Sequence, residues 1–198
     1  MGQKFVLATH NPNKLKEMSA ILSRFGVEVV SPAQLGVTVD VEETGTTFAE
    51  NAMLKARAIC QAAGLPAIAD DSGLCVDALN GAPGVYSARY GGPGLDDKGR
   101  YALLLNTMRG MPSRAAHFAC AIACAFPNGD TLTAEGRVDG TIAYAPMGEG
   151  GFGYDPVFFY PPMARTFGQL TAEEKSAISH RGRALADFAE KLATYLGN

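Results

Sequence analysis

The sequence predicts an α/β protein in which helices flank a mixed β-sheet. Strand-like and helix-like apolar patterns alternate through the first part of the chain, which is typical of sheets covered by helices. A later stretch, AHFACAIACAF followed by PNGD and TLTAEGRVDG, predicts a β-hairpin with an Asn-Gly turn. The chain has 198 residues, of which 47% are hydrophobic and 19% charged. These values suit one globular domain, and we expect it to span residues 1–198.

The first half supplies three strands and two helices in alternation. KFVLAT predicts a buried strand, a helix after the next polar loop ends at Gly26, and VEVVS predicts a second strand. The following helix, TFAENAMLKARAICQAAG, begins with a capping box of Thr47 and Glu50 and ends at Gly64. The strand PAIAD comes next and carries two acids at its end.

The second half adds a helix over residues 96–109, the hairpin, a glycine-rich segment and a last strand. The C-terminal stretch LTAEEKSAISHRGRALADFAEKLATYL has helical periodicity, and Thr171 with Glu174 forms a second capping box. Strands joined by crossovers pair in parallel, whereas the two strands of a hairpin pair antiparallel. The sheet is therefore expected to be mixed.

Charge and hydropathy exclude several classes of function. The net charge is −3 and the pI about 5.6, so the chain lacks the basic excess of a nucleic-acid-binding protein. No apolar run reaches the length of a membrane span. The N-terminal MGQKFVLATHN has too short an apolar stretch for a signal peptide, and we expect a cytoplasmic protein. The four cysteines show no metal-binding spacing, and we expect them to be reduced and buried.

One candidate anion site lies at the first strand–helix junction. The residues there are Thr9, His10, Asn11, Pro12, Asn13 and Lys14. Backbone N–H groups at a helix N-terminus, with a lysine one turn in, bind phosphate well. The plainer interpretation is a helix capped by Asn11 with Pro12 at its first position, and taken alone it is preferred.

The acidic pair Asp70-Asp71 is the strongest single signal. Neighbouring strand residues point to opposite faces, so one carboxylate can serve a ligand while the other supports the backbone turn that follows. Ligands in open α/β sheets bind beyond the strand ends, and hard carboxylate oxygens suit Mg²⁺ there. An Asx-type turn that closes the strand is the alternative, but it needs only one aspartate.

Two further clusters are weaker. Glu42 and Glu43 lie in an acidic loop before the second helix, on which Asn51 and Lys55 share a face; a solvated turn and an exposed helix face are the alternatives. An aromatic residue between glycines, in Gly150 to Pro156, leaves its face open to stack a base, although a core position for Phe152 is equally compatible.

A basic cluster lies near the start of the C-terminal helix. Lys175, His180 and Arg181 fall within seven residues of a slightly acidic chain, and a solvated helix start is their alternative. An anion loop, carboxylates for Mg²⁺, an aromatic platform and a basic cluster together make the parts of a magnesium–nucleotide site.

The motifs also match a known family in order and spacing. VLATHNPNK, VEETGTTFAENAMLKA, ADDSGLCVDALNGAPGVYSARY, GGFGYDPVFF and LTAEEKSAISHRGRAL resemble the bacterial members of the inosine/xanthosine triphosphate pyrophosphatase family, through nearly the whole chain. The resemblance implies an elongated mixed sheet with two lobes, a central active-site cleft and a homodimer. His10 departs from the family pattern, in which a small residue usually stands.

The resemblance also implies roles for individual residues. Glu43 and Asp71 would bind Mg²⁺, with Glu42 the fallback for Glu43, and Asp71 would be the proton acceptor. The residues implied in substrate binding are Thr9, His10, Asn11, Pro12, Asn13 and Lys14 with Lys55 for the triphosphate, Ser72, then Phe152, Gly153, Tyr154 and Asp155 around the base, and Lys175, His180 and Arg181 along its six-position edge.

The implied reaction is Mg²⁺-dependent hydrolysis of ITP, dITP or XTP to the monophosphate and pyrophosphate, which removes deaminated purines from the nucleotide pool. Neither nucleic acid nor membrane is an expected partner. Two alternatives stay open: a house-cleaning pyrophosphatase for modified pyrimidine nucleotides, and a non-catalytic nucleotide-sensing protein.

Overall fold

The described residues form a seven-stranded mixed sheet, which confirms the predicted α/β class. The structure is a computed structural model that describes residues 4–197, apart from the side chain of Phe25. The strand order is β2-β1-β3-β4-β5-β6-β7. The strands are β1 (Lys4–Leu7), β2 (Glu28–Val30), β3 (Ala67–Val76), β4 (Ala115–Ala125), β5 (Thr131–Ile142), β6 (Phe158–Tyr160) and β7 (Arg165–Thr166). β1 pairs in parallel with β2 and β3, whereas β6 pairs antiparallel with β5 and β7.

Helices begin where the capping chemistry predicts. The described part of the chain contains α1 (Pro12–Leu22), α2 (Phe48–Ala63), α3 (Asp97–Thr107), α4 (Ala172–Ile178) and α5 (His180–Leu196). Thr47 and Glu50 form the predicted capping box of α2, and Gly64 ends that helix in the left-handed conformation at φ 66°. Among the described residues, no helix is long and apolar enough to cross a membrane. Met1 to Gln3 of the predicted N-terminal motif lie outside the described residues.

The chain divides into two compact units. The first contains the described residues up to Asp71, then Cys120–Gly136, then the described residues from His180 onward. Its core has one cluster around Phe5, Met18 and Phe188, in which α1 and α5 bury their apolar stripes. A second cluster of small side chains, including Ala52, packs α2 closely on its strands.

The second unit contains Ser72–Ala119 and Arg137–Ser179. Its core contains a group of aromatic rings, with Phe118, Phe158 and Phe167 in mutual contact at centroid distances of 4.6 to 5.8 Å. These rings hold the strands and turns that follow residue 140 against the sheet.

Two local predictions were wrong, and a third was confirmed. β3 does not end at the acidic pair; it continues through Asp70 and Asp71 to Val76, because small and apolar residues keep alternating along it. The predicted hairpin between β4 and β5 is confirmed, and its turn contains Asn128 and Gly129, although only Gly129 has positive φ and the Phe126 N–H donates to the Asp130 carbonyl. The C-terminal helix is two helices, because Ser179 is extended at ψ 160°.

The cysteines are all free thiols, as predicted. Cys60, Cys120 and Cys124 are buried, whereas Cys75 is only half-buried. Burial raises the pKa of the Cys120 thiol to about 12, and the nearby Asp70 charge adds to the effect. That thiol therefore stays protonated and packs as a small apolar group.

Candidate active site

The predicted phosphate loop forms a capped helix start in the first unit. The Asn11 side chain accepts the N–H groups of Asn13 at 2.9 Å and Lys14 at 3.3 Å, and Pro12 is the first residue of α1. Thr9 Oγ1 accepts the Asn11 N–H at 3.1 Å. The cap predicted from the sequence is thus confirmed, and it leaves the backbone of the first turn near solvent, since Pro12 and Asn13 are exposed. His10 is exposed as well.

Four charged side chains, Lys14, Asp70, Arg181 and Glu17, contact one another in sequence, and we call them the buried ion network. Lys14 Nζ is 3.1 Å from Asp70 Oδ2, and the Arg181 guanidinium approaches the same oxygen at 3.3 Å. Arg181 also donates to Glu17. Lys14 and Glu17 are three residues apart on α1, so the two ends of the network lie on one face of the same helix. The network therefore ties α1, β3 and α5 together within the first unit.

Burial makes these charges depend on one another. Asp70 and Arg181 are each 1% exposed. Burial alone would raise the pKa of Asp70, but the charges of Lys14 and Arg181 outweigh it and hold that pKa well below its usual range. Burial likewise opposes the Arg181 charge, yet Asp70 and Glu17 raise the pKa of Arg181. Each ion is stable here because its counter-ions are fixed beside it.

This network corrects the role predicted for Asp70. Asp70 does not support a turn, since β3 continues past it and its carboxylate pairs with two cations. The predicted separation of the acids onto different faces is confirmed, because Asp71 contacts other partners. Arg181 is engaged by carboxylates inside the first unit, and its contact with a base stays a prediction.

The second aspartate belongs to a different group, which we call the carboxylate cluster: Glu43, Asn51, Lys55 and Asp71. Lys55 Nζ is 2.7 Å from Glu43 Oε1 and 3.9 Å from Asp71 Oδ1. Asn51 Nδ2 donates to Asp71 Oδ2 at 3.1 Å, and its Oδ1 accepts the Gly45 N–H at 2.7 Å. Asn51 is fully buried, so the exposed-face interpretation was wrong for it. One buried amide thus holds both the aspartate and the loop that carries Glu43.

The electrostatics of this cluster fit a divalent cation. Burial raises the pKa of Asp71, and the Glu43 charge adds to that rise, although Lys55 and Lys14 oppose it. Two carboxylates that repel each other in a partly desolvated site are stabilised by a bound cation. In the described part of the chain no group of three or more acidic, histidine or cysteine side chains gathers for a metal. Two carboxylates suit Mg²⁺, which fills its remaining positions with waters and substrate phosphates.

The structure separates Glu43 from Glu42. Glu43 is half-buried and contacts Lys55, and its charge acts on Asp71. Glu42 is exposed. The geometry therefore favours Glu43 as the partner of Asp71.

The residues predicted around the base lie in the second unit. We call residues 150–155 the base segment. Asp155 Oδ2 accepts the Phe152 N–H at 2.9 Å and the Lys175 ammonium at 2.7 Å. Lys175 Nζ also lies 4.5 Å from the centre of the Phe152 ring. Gly151 has φ +70°, and a Cβ there would lie 2.0 Å from Asp155 Oδ2, so only glycine admits this turn.

Burial distinguishes the members of the base segment. Phe152 is half-buried, so its ring is not a core residue, whereas Asp155 and Lys175 are 2% and 5% exposed. Tyr154 is buried, and its hydroxyl donates to the Ser87 carbonyl at 2.7 Å. Tyr154 therefore anchors the segment, and the half-buried Phe152 ring lies beside the Lys175 ammonium. Ser72, also in the second unit, is half-buried in β3.

The first turn of α5 is positioned by an unusually close backbone approach. A Cβ at Gly136 would lie 2.1 Å from the His180 carbonyl oxygen and 2.6 Å from the Ala184 nitrogen. Only glycine lets β5 come this near to α5. The approach places His180 and Arg181, both buried, at the start of the helix.

Sequence reasoning missed Glu17, the buried role of Asn51 and the pairing of Asp70. Two of the three had a detectable signal. Glu17 is one turn after Lys14 on α1, and Asn51 is one turn before Lys55 on α2. The Asp70 pairing joins residues 111 apart in the chain and had none.

Comparison with known proteins gives consistent results. The family model described as "Ham1 family" matches residues 5–191. Proteins named dITP/XTP pyrophosphatase from Exiguobacterium sp. and Streptomyces coelicolor are 47% and 49% identical, and each alignment covers 98% of this chain and 98% and 99% of the relative. The solved structure of a HAM1 protein from Coxiella burnetii superposes with a TM-score of 0.89 at 42% identity, over 97% of this chain and 99% of that one.

The family match runs from β1 into α5 and so includes both units described above. Identity at this level over nearly complete lengths indicates common ancestry and not fold similarity alone. The chain therefore belongs to the Ham1 family.

Proposed function

We propose that this chain is a nucleoside triphosphate pyrophosphatase that converts ITP, dITP and XTP to the monophosphate and pyrophosphate. The observation that carries the proposal is the carboxylate cluster, in which Glu43 and Asp71 flank the Lys55 ammonium. The names of the relatives support the substrate class. Such an activity would remove deaminated purines from the nucleotide pool.

The phosphate-binding part of the proposal rests on α1 and Lys55. The capped start of α1 would bind phosphate oxygens through Thr9, His10, Asn11, Pro12, Asn13 and Lys14. Backbone N–H groups and the helix dipole favour anions there. Lys14 can exchange its contact with Asp70 for a phosphate oxygen at low cost, because Arg181 remains beside that carboxylate. Lys55 adds a second cation.

Glu43 and Asp71 are the residues that would hold Mg²⁺. When bound, the ion would neutralise phosphate oxygens and lower the pKa of a coordinated water. Asp71 would orient the attacking water and accept its proton as the oxygen approaches the α-phosphorus. Asn51 keeps the Asp71 carboxylate in that orientation, since it donates to the other carboxylate oxygen.

Base selection is assigned to the base segment and to Lys175. The half-buried Phe152 ring would stack on the purine, together with the backbone of Gly153, while Tyr154 and Asp155 hold the segment. Lys175, kept in place by Asp155, would donate to the six-position oxygen of hypoxanthine or xanthine. Adenine carries an amino donor at that position, so two donors would face each other there, at a cost of about 1–3 kcal/mol or more.

Ser72, His180 and Arg181 complete the proposed set through the family resemblance. The same resemblance supports a homodimer, a cytoplasmic location and a single pyrophosphatase domain over residues 1–198. Light scattering of the purified protein measures the oligomeric state, and a monomer at micromolar concentration would contradict the dimer.

Product analysis tests the activity. The purified protein is incubated with Mg²⁺ and ITP, dITP, XTP, GTP, ATP or a modified UTP, and products are separated by ion exchange. We expect IMP and pyrophosphate from ITP, and loss of turnover with excess chelator that added Mg²⁺ restores. Orthophosphate as the first product would contradict attack at the α-phosphorus. Preference for the modified UTP would indicate a pyrimidine-directed enzyme, and binding without turnover would indicate a sensor.

The variant Lys175→Ala tests base selection separately. We expect the ratio of kcat/KM for ITP over ATP to fall by about 10-fold or more, because a donor to the six-position is removed. Lys191→Ala, at an exposed position of α5, is the control and should leave the ratio unchanged. Equal losses for both nucleotides would contradict a base-reading role for Lys175.

A further inference from the structure

Asp97, at the start of α3, contacts the base segment. Its Oδ2 accepts the Gly153 N–H at 2.8 Å, across 56 residues of chain within the second unit. The neighbouring Asp96 serves α3 instead, because it is the N-cap of that helix and its side chain accepts the Gly99 N–H at 2.7 Å. The two adjacent carboxylates thus have different partners: Asp96 caps α3, whereas Asp97 binds the base segment.

The contact is placed where it controls the Phe152 ring. The Phe152 N–H is held by Asp155, and the next N–H along the chain, that of Gly153, is held by Asp97. Both peptide planes that flank the Phe152 α-carbon are therefore fixed. Since the Cα–Cβ direction follows from those planes, the ring can vary only about its own side-chain torsions.

The backbone needs such a restraint. Gly151 and Gly153 have φ of +70° and +61°, and glycine has the greatest conformational freedom of any residue. A pocket of about 580 Å³ also lies beside the segment, lined in part by Asp97, Phe152 and Gly153, so solid packing does not hold this side. A hydrogen bond to a charged acceptor supplies the missing restraint.

We propose that Asp97 is a positioning residue that pre-sets the Phe152 ring for base stacking. The inference rests on the proposed function and deepens it, because it assigns nucleobase affinity to a residue outside the base segment. Stacking does not distinguish one purine from another. Loss of Asp97 should therefore weaken the binding of all purine nucleotides to the same extent, whereas loss of Lys175 should change the preference between them.

The experiment compares Asp97→Ala, Asp97→Asn and the control Asp96→Ala. For Asp97→Ala we expect KM for ITP and the dissociation constant for IMP to rise about 3- to 10-fold, which is the range for the loss of one ordinary hydrogen bond. The kcat and the ITP/ATP ratio should stay unchanged, as should inhibition by pyrophosphate, which has no base. Asp97→Asn keeps an acceptor oxygen and should restore most of the affinity. Asp96→Ala should lower Tm through loss of the cap without raising KM.

Amide hydrogen exchange at Gly153 gives a readout that is independent of turnover. We expect faster exchange in Asp97→Ala than in the wild type or Asp97→Asn. Unchanged KM and IMP affinity in Asp97→Ala, while the wild type hydrolyses ITP, would overturn the positioning role alone. A parallel loss of pyrophosphate inhibition would also overturn it, since it would indicate general damage. A wild type that neither binds nor hydrolyses ITP would overturn the proposed function and this inference with it.

Discussion

Asp70 and Asp71 are neighbours in β3, yet the surroundings on the two faces of this strand shift the pKa of a carboxylate in opposite directions. On one face, Lys14 and Arg181 outweigh burial and lower the pKa of Asp70. On the other face, burial and Glu43 outweigh Lys55 and raise the pKa of Asp71. The cations beside Asp70 more than offset the effect of burial on its carboxylate, whereas the cations near Asp71 do not offset burial and the Glu43 charge.

The difference teaches which acid stabilises the fold and which is available for a ligand. A carboxylate with fixed cations on a buried face lowers the free energy of the folded state. A carboxylate that the fold leaves undercompensated is stabilised by an added cation, and perturbed groups of this kind concentrate at functional sites. The variants below test the effects on catalysis and on stability at the two faces separately.

The largest effect is expected for Asp71→Asn. We expect kcat for ITP to fall about a thousandfold or more, because the proton acceptor and a Mg²⁺ ligand are lost together. The free energy of unfolding should not fall, since a neutral amide avoids the cost of burying the charge. Steady-state kinetics and urea unfolding measure the two quantities.

Asp77→Asn, at an exposed acidic position, is the matched control and should keep its activity. An Asp71→Asn protein with near wild-type turnover would remove the catalytic assignment from this face.

The second effect reverses the pattern. Asp70→Asn leaves the buried Arg181 and the half-buried Lys14 with one counter-charge fewer, and we expect a loss of about 3–5 kcal/mol in the free energy of unfolding. Urea unfolding measures it without adding salt. The double variant Asp70→Asn/Lys14→Met should recover part of the loss, because one orphaned cation is gone. Equal stability of Asp70→Asn and the wild type would show that the buried ion network does not support the fold.

A third variant tests the amide behind Asp71. Asn51→Leu removes the hydrogen bonds to Asp71 and to the Gly45 N–H, and we expect a loss of about 1–3 kcal/mol in stability. Activity should fall as well, though less than in Asp71→Asn, because the carboxylate remains but is no longer held.

Gln61→Leu, exposed on the same helix, controls for the change in hydropathy and should shift stability by less than about 0.5 kcal/mol. Full activity in Asn51→Leu would indicate that Asp71 needs no support from α2.

The smallest effect is expected for Glu17→Gln. The amide oxygen still accepts from Arg181, and Asp70 still neutralises it, so stability should fall by about 1 kcal/mol. The matched control is Glu28→Gln, because the pair of Glu28 with Lys4 is more than half exposed and should contribute less than that. A larger loss in Glu28→Gln than in Glu17→Gln, measured by urea unfolding, would contradict the ranking of buried over exposed pairs.

Much of the fold could be predicted because its determinants are local. The Asn11 cap, the Thr47–Glu50 capping box and the stop at Gly64 are each encoded within a few residues. The end of β3 was not, since a strand can continue through two aspartates only when partners from α1, α2 and α5 accept them. Those partners are distant in sequence, and no local pattern indicates them.

The candidate site divides in the same way. Glu43, Lys55 and Asp71 were predicted as residues that act together, and the structure brings them together. Glu17 and Asp97 act through contacts 164 and 56 residues away in the chain. The spacing on α1 indicates that Glu17 lies on the same face as Lys14, but no local pattern indicates the distant partner of either acid. The close approach of α5, which follows the extended Ser179 in the chain, to Gly136 likewise joins residues that are far apart in sequence.

The buried ion network has a consequence for how a nucleotide arrives. Its two cations and two anions sum to zero, and the whole chain carries −3. A triphosphate approaching these four side chains therefore meets no long-range electrostatic attraction from them. Lys14 becomes attractive only at contact, when it turns from Asp70 to the phosphate. Recognition at this place would be a short-range exchange of counter-ions.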